Sequence, residues 1–465
     1  MRKTRIICTL GPATESREML REMITAGADV FRLNMSHARH DWCRDVVKNI
    51  REISGEVGKT VGVLFDLQGP SIRTGDVDEK IALAKGDRVE FRAEGSEPQL
   101  EKSTTVNYSG LMSDVLEGSE LTVDNGELLM KVETISEDRM TCEVLTAGAM
   151  GSRRHINLPG VRLNLPALTE KDHADIKVAA ECQADFVAGS FVRDAGHVRE
   201  LRGALEAAGG KAQIVSKLED QEAMKHLDDI IRESDVIMVA RGDLGIEVHV
   251  EELPIIQRRI VKRCHQLGRR VIVATHMLES MISSPTPTRA EVTDVSNAVF
   301  EEADAIMLSG ETTVGKYPVR CVELMDRVAR RIERSGGLGY GLEVALKTEK
   351  QKTIKAAIGL ADSISNALLI VFTKSGLTAN QAALIRPKSP IFAFTPEAQS
   401  CQALTLSRGV RTFEMPFCEL PRDTISAAVE LLISHRDVEP GTPLVVVSDL
   451  LHRDHAVDSI LLVHA

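Results

Sequence analysis

Short apolar runs that stop at polar or charged residues recur along this chain, and most are followed by helical spacing. Residues 5–10 form the first run, closing at Thr9-Leu10-Gly11-Pro12. Met19, Leu20, Met23 and Ile24 then share one helical face. Residues 28–33 give a second run, ending Arg32-Leu33-Asn34-Met35-Ser36-His37, and Val46, Val47, Ile50 and Ile53 mark the next helix. A third run, 61–65, ends Asp66-Leu67-Gln68-Gly69-Pro70. The rhythm resumes at Asn157, with runs at 186–188, 213–215, 236–239, 271–274 and 305–308. Ile256, Ile260, Val261 and Cys264 are typical of the helices between them. Eight such units predict a closed (β/α)8 TIM barrel rather than an open doubly wound sheet, with its chemistry at the C-terminal strand ends.

The rhythm breaks twice. Between about Gly75 and Arg154 helical periods vanish, and short β-type runs appear at 88–91, 120–123, 128–135 and 140–145. Asn125-Gly126 and Glu137-Asp138 stand where hairpin turns belong. This predicts a small all-β domain, residues 75–154, inserted into a barrel made of 1–74 and 155–338. After a charged helix at 321–334, the glycine-rich stretch 335–341 reads as a linker. Residues 339–465 then form a C-terminal α/β domain, with parallel strands at 367–372, 391–394, 410–413, 444–447 and 460–463. Ile425, Val429, Leu432 and Ile433 supply one helical face there.

Length and composition narrow the class. A chain of 465 residues holds several domains, and 43% hydrophobic residues with mean hydropathy near zero mark a soluble globular protein. No apolar run reaches the roughly 18 residues that span a bilayer, so no membrane partner is expected. Scattered cysteines, eight in all and without zinc spacing, fit reduced thiols in the cytoplasm. A net charge of −11 and 3% aromatics exclude a nucleic-acid surface. An anionic ligand therefore needs locally focused cations.

The strand ends supply candidates. Two glycines in Arg241-Gly242-Asp243-Leu244-Gly245 let backbone amides approach a ligand. Glu219 and Asp243 offer two carboxylates to one hard cation, with Lys217 as a point charge beside it. The plainer reading is an interstrand Lys–Asp salt bridge. Arg32, Asn34, Ser36 and Asp66 suit a monovalent cation or a phosphate network, or else Asn34 and Ser36 are helix caps. Arg32 and Arg73 are phosphate forks. His37 is either a ligand contact or a cap. Thr275, Ser309 and Glu311 form a proton relay or merely backbone partners. In the last domain, Phe372-Thr-Lys-Ser-Gly-Leu-Thr378 follows a strand and opens a helix, as an anion pocket or an ordinary N-cap does.

Several segments together resemble the pyruvate kinase family. They are Lys3-Thr-Arg-Ile-Ile-Cys-Thr-Leu-Gly-Pro12, Phe31 to His37, Asp66 to Pro70, Ile72-Arg-Thr-Gly75, Ile237 to Glu247, Met277-Leu-Glu-Ser-Met281, Pro287-Thr-Arg-Ala-Glu291 and Met307-Leu-Ser-Gly-Glu311. The likeness runs from residue 3 to about 335 and continues in outline through the C-terminal domain. The absence of an arm before the barrel resembles bacterial members. The resemblance implies phosphoryl transfer from phosphoenolpyruvate to ADP, giving pyruvate and ATP. It implies Mg²⁺ (or Mn²⁺) on Glu219 and Asp243, the substrate carboxylate on the 241–243 amides, and Lys217 and Arg32 at the phosphoryl group. Thr275 would bind substrate and help protonate the enolate, with Ser309 and Glu311 behind it. Asn34, Ser36, Asp66 and the Leu67 carbonyl match the family's K⁺ site; Asn34, Ser36, His37, Arg73 and Arg154 match its nucleotide contacts. Thr373, Ser375 and Thr378 match an effector-phosphate loop, and a homotetramer is the usual assembly.

The chain departs from the pattern in places. Ser71 stands where Glu or Lys accompanies K⁺ dependence or independence, so that dependence stays open. His276 replaces a usual Gln beside Thr275, with a perturbed proton step as the expectation. Residues 448–455 lack a glycine-rich effector loop, which points to altered or absent sugar-phosphate activation. A Mg²⁺-dependent lyase barrel and a catalytically dead metabolite sensor are the competing readings; the nucleotide contacts oppose the first, and intact Lys217, Glu219, Asp243 and Thr275 oppose the second.

Overall fold

In the computed structural model, all residues are described except 125, 162, 453 and 454, and within 449–457 only the backbone is described. Eight parallel strands close into a barrel in chain order: Arg5–Thr9, Val30–Asn34, Gly62–Asp66, Phe186–Gly189, Gln213–Leu218, Val236–Ala240, Arg270–Ala274 and Ala305–Leu308. Each reading of a barrel strand from the sequence falls on one of these. The sixth strand, Val-Ile-Met-Val-Ala, is buried at every position. Continuous apolar runs are what a parallel strand covered on both faces requires.

The helices between the strands obey local chemistry. Ser16 caps Arg17–Ala26 by accepting the Met19 amide, and Leu20, Met23 and Ile24 are its buried face. Val46, Val47, Ile50 and Ile53 bury one side of His40–Val57. Reciprocal capping boxes at Thr169 with Asp172 and Thr288 with Glu291 start Glu170–Glu181 and Arg289–Phe300.

Ile7, Val30, Leu64, Phe186, Met238, Ile272 and Met307 are among the side chains that fill the barrel interior. Leu406, from the C-terminal part of the chain, joins that same cluster and is fully buried. The N-terminal mouth is thus plugged. Arg5 and Arg270 reach the carbonyls of Ser407 and Ala403 at 2.9 and 3.1 Å. Arg386 pairs with Asp304 at 2.6 Å, both side chains nearly inaccessible. The opposite mouth carries no such plug among the described residues.

The inserted segment forms a six-stranded sheet and a two-stranded one, with its own core around Val89, Phe91, Leu121, Met130 and Cys142. Arg73 bridges to His155, so the two chains entering and leaving the insertion form a narrow neck. The strands Ile81–Leu83, Ser103–Val106, Gly148–Met150 and Ile156–Asn157, and the short helix Leu111–Asp114, were not anticipated; each is too short to show a period. The expected turn at Asn125-Gly126 falls partly outside the described residues, but Val123 pairs with Leu128 as such a turn demands.

The C-terminal sheet requires a correction. Val410–Glu414, Ile391–Thr395, Leu368–Phe372 and Pro443–His452 run parallel in that order, but the edge strand His455–His464 is antiparallel. Parallel neighbours need a long crossover, and the described pairing runs as far as His452 opposite His455, too close along the chain for one. Arg453 and Asp454, within the stretch expected to lack an effector loop, lie outside the described residues. The last helix, Pro421–Ser434, buries Thr424, Ala428 and Leu432, whereas Ile433 is left exposed.

Candidate active site

The ends of the second to fifth barrel strands converge on one cluster. Arg32 Nε donates to Asp66 Oδ2 at 2.6 Å, and its Nη1 to the Thr9 hydroxyl at 3.0 Å. Lys217, inside the fifth strand, lies 3.4 Å from Asp66 Oδ1 and 2.8 Å from Glu219 Oε1, and donates to Ser190 Oγ at 2.7 Å. Ser190 donates onward to the Leu67 carbonyl at 2.8 Å. The Phe191 amide meets Glu219 Oε2 at 2.6 Å. Phe191 has φ 52°, a conformation costly for a non-glycine residue. The expected alternative, a salt bridge from Lys217 to Asp243 on the neighbouring strand, is not formed among the described residues; Lys217 pairs with Glu219 and Asp66 instead.

Burial opposes charge on Asp66, but Lys217 and Arg32 outweigh it and hold its carboxyl below the ordinary value. Burial likewise disfavours the Lys217 ammonium, and Asp66 and Glu219 more than offset this. Glu219 differs. Burial, reinforced by the negative charge of Asp243 and opposed by Lys217, pushes its carboxyl up to about 7.

Opposite this cluster, the sixth strand runs directly into the short helix Arg241–Glu247. Amides in such a first turn have no partner within the helix. The Gly242 amide donates to Thr275 Oγ1 at 2.8 Å. Thr275 and His276 both adopt left-handed φ, 68° and 53°. Arg241 turns its side chain away from the mouth, bonding Asp294 at 2.7 Å and the Ala274 and Thr275 carbonyls. It anchors the turn to the seventh strand. His276 is 60% exposed and faces Glu279 at 3.6 Å.

The negative charge of Asp243 raises the cost of ionising Glu219, and such a carboxylate pair is a fitting donor set for a divalent cation. The Asp243 carboxylate makes no hydrogen bond or ion pair among the described residues. No group of three or more His, Cys, Asp or Glu is placed to hold a metal among the described residues. A pair suits Mg²⁺, which takes its other ligands from substrate and water. For a monovalent cation, Asp66 Oδ1 is buried without a hydrogen bond, and Asn34 is its register neighbour. Asn34 Oδ1 accepts the Ser36 amide at 3.2 Å in a local turn, but neither residue caps a helix, since His40–Val57 begins after Arg39 without a side-chain cap.

The remaining candidates separate. Arg73 sits in the neck, bonded to Ser71 Oγ at 3.1 Å and the Arg153 carbonyl at 3.0 Å. Burial lowers its pKa, and Asp243 opposes that shift. Arg154 pairs with Asp124 at 3.2 Å. His37 is exposed, its amide bonded to the Asn34 carbonyl. The Thr275–Ser309–Glu311 relay is not formed as a hydrogen-bonded chain. Glu311 accepts the Leu278 and Ser309 amides at 2.9 and 2.7 Å, and the buried Ser309 hydroxyl has no hydrogen-bond partner among the described residues. Glu311 braces backbone in this structure. Thr373 and Ser375 lie far along the chain on the loop before Leu377–Leu384 and Thr378 in the first turn of that helix, and Thr395 and Ser400 both donate to the Lys374 carbonyl in the loop.

Sequence reasoning gave no role to Ser190 or His155. Ser190 had one signal, its place at the end of the fourth strand. His155 is half-buried against Phe191, and desolvation, opposed by Asp243, lowers its pKa. Nothing in the local sequence announces it. A cavity of about 210 Å³ opens beside the cluster, lined by His155, Asn157, Phe191, Arg193 and Glu247 but not by Lys217 or Asp243.

Comparison with known proteins agrees with this geometry. Residues 1–322 match the family model described as pyruvate kinase, barrel domain, and 351–463 match pyruvate kinase, alpha/beta domain. Plastidial pyruvate kinase 3, chloroplastic, of Arabidopsis thaliana is 40% identical over 458 residues, covering 96% of this chain and 78% of its own length. Pyruvate kinase of Geobacillus stearothermophilus is 38% identical over 473 aligned positions, covering 100% and 80%. Pyruvate kinase of Dictyostelium discoideum is 35% identical over 463, covering 97% and 91%.

Proposed function

The chain belongs to the pyruvate kinase family and is a phosphotransferase of glycolysis, and we propose that its barrel mouth moves the phosphoryl group of phosphoenolpyruvate to ADP through the side chains described above. The observation that carries this reading is Lys217 set between Asp66, Glu219 and Ser190. Such an ammonium stays protonated and is fixed in place, so it can stabilise charge on the transferring phosphoryl and on the enolate oxygen it leaves. Arg32, held by Asp66, adds a guanidinium fork on the same side. The Asp243 amide receives the substrate carboxylate, beside Gly242, whose own amide is held by the Thr275 hydroxyl.

The bond from phosphorus to the enol oxygen breaks as one to a terminal ADP oxygen forms. The enolate then takes a proton at its methylene carbon. Thr275 orients the substrate for that step, braced by Gly242; Ser309 and Glu311 act behind it, with Glu311 holding backbone. Glu219 and Asp243 would hold Mg²⁺ or Mn²⁺, which supplies positive charge to the substrate's carboxylate and phosphoryl oxygens. Asn34, Ser36, Asp66 and the Leu67 carbonyl would hold K⁺, which adds a second local charge. Asn34, Ser36, His37, Arg73 and Arg154 receive the nucleotide, the last two from the neck and rim of the inserted domain.

We assign residues 1–74 and 155–338 to the catalytic barrel, 75–154 to a lid and 339–465 to a regulatory-type domain. We assign the protein to the cytoplasm as a homotetramer. No helix among the described residues is long and apolar enough to cross a membrane. Thr373, Ser375 and Thr378 form a phosphate loop without the usual second loop, so sugar-phosphate activation is altered or absent. Strong activation by a sugar bisphosphate or monophosphate would defeat that assignment.

The experiment is pyruvate and ATP formation from phosphoenolpyruvate and ADP with Mg²⁺, in Na⁺ and in K⁺. Activity that Lys217→Ala abolishes supports the reading, and its restriction to K⁺ supports the cation site. No activity in either salt refutes it.

A further inference from the structure

The helix Glu170–Glu181 begins shortly after the chain leaves the inserted domain, and its first turn does more than cap itself. Asp172 closes the capping box with Thr169 through Oδ2, at 2.8 Å from the amide and 2.6 Å from the hydroxyl. Its other oxygen, Oδ1, leaves the helix and accepts the Gly69 amide at 3.1 Å. Lys171 also leaves the helix: its ammonium donates to the Met35 carbonyl at 2.6 Å. The direction is set by Asp175, whose Oδ2 accepts from Lys171 at 2.6 Å and whose Oδ1 meets His40 Nε2 at 2.7 Å. Asp172 and Asp175 are fully buried.

Met35 lies between Asn34 and Ser36, and Gly69 lies between the third barrel strand and the neck. One helical turn therefore holds the backbone of two mouth loops that arise from different strands. The loops are also tied to each other, since the Met35 amide donates to the Asp66 carbonyl at 2.9 Å. A capping box needs only its own helix. A lysine paired at i,i+4 on a helix surface needs no third partner. Aiming a hydrated ammonium at a loop carbonyl, against a fully buried carboxylate, is unexplained by helix stability alone.

We propose that Lys171, steered by Asp175, is a positioning residue for the nucleotide subsite at Asn34, Ser36 and His37, with Asp172 setting the neighbouring loop at Gly69. The proposal rests on the kinase reading for the identity of the nucleotide. Lys171 fixes the Met35 peptide and, through it, the facing of the Asn34 and Ser36 side chains. Among the described residues the phosphoenolpyruvate side, built on Lys217, Asp243 and Thr275, takes no bond from this turn, and the two sides meet at Asp66, whose carbonyl accepts the Met35 amide and whose carboxylate pairs with Lys217.

The test compares the parent with Lys171→Met and Lys171→Arg. Calorimetry with Mg²⁺ present gives the dissociation constant for ADP, steady-state kinetics gives KM for ADP and for phosphoenolpyruvate, and thermal unfolding reports folding. Lys171→Met should weaken ADP by about tenfold, the loss expected for one charge-assisted hydrogen bond. KM for phosphoenolpyruvate should stay within about twofold, because no contact on that side is removed. Lys171→Arg, which keeps a donor of similar reach, should recover most of the ADP affinity. Unchanged ADP affinity in folded Lys171→Met overturns the proposal, as do equal losses for both substrates. Should Lys171→Met not fold, Lys171→Gln takes its place with the same measurements, and the same results support or overturn the proposal. A parent that binds ADP without turnover refutes the kinase reading alone, since calorimetry still decides the role of Lys171. A parent that neither turns over nor binds ADP overturns both.

Discussion

Ser190→Ala tests the mouth at the residue that joins its two halves. The hydroxyl, 5% exposed, accepts from Lys217 at 2.7 Å and donates to the Leu67 carbonyl at 2.8 Å. Removing it takes from Lys217 its one uncharged partner and leaves the carbonyl without that donor. A hydrogen bond to a charged group contributes about 1.5–3 kcal/mol. The ammonium keeps Glu219 at 2.8 Å and Asp66 at 3.4 Å, so it swings toward the carboxylates and away from the mouth. If most of that energy is felt in the transition state, kcat falls by about 10- to 100-fold, at roughly 1.4 kcal/mol per factor of ten. KM for phosphoenolpyruvate should change by less than about threefold, because the amides of the sixth-strand turn are untouched. The assay is steady-state pyruvate release with both substrates varied, beside thermal unfolding of the same preparations. Ser190→Thr keeps the hydroxyl and should retain more activity than the alanine variant. A kcat for Ser190→Ala within about twofold of the parent refutes the assignment of Lys217's geometry to this bond.

Further outcomes follow from other contacts. Glu219 keeps its proton up to about 7 when folded but releases it near 4.5 when unfolded, so without metal, stability should fall as pH rises across that window and level off above it. Mg²⁺ needs the ionised carboxylate, so the thermal shift given by Mg²⁺ should grow over the same window and vanish in Asp243→Asn; a shift independent of pH refutes this. Gly69 has φ 69°, and a Cβ there would lie 2.7 Å from that of Ser190, so Gly69→Ala should cost about 1–3 kcal/mol and lower kcat. Thermal unfolding and turnover check it, and an unperturbed variant contradicts the close approach. Arg386→Leu strands the buried Asp304 carboxylate and should destabilise the barrel by about 3–5 kcal/mol. The single tryptophan, Trp42 on a barrel helix, reports this in denaturant, and adding Asp304→Asn, which can still accept the Val271 amide, should recover over half.

The barrel, the insertion and the third unit are legible along the chain because each is written in local patterns. An apolar run of strand length, a helical face such as Val46, Val47, Ile50 and Ile53, and a capping residue such as Thr288 are legible without neighbours. The sequence also placed Arg32, Asp66, Lys217, Glu219, Asp243 and Thr275 at strand ends, and barrel closure brings such ends to one face. Where each side chain goes once there depends on contacts between distant segments. Arg241 neighbours Gly242 and Asp243 in sequence, yet its guanidinium binds Asp294 away from the mouth. Glu311 carries the chemistry of a proton donor, yet both its oxygens are taken by backbone amides. Ser190 looked like one more strand-end hydroxyl until the neighbouring strands set Lys217 on one side of it and Leu67 on the other. The antiparallel last strand and the reach of Lys171 to Met35 escaped notice for the same reason. Local periodicity fixes which residues face a core, but hydrogen-bond partners are chosen between segments far apart in the chain, and only closure of the barrel brings those segments within reach.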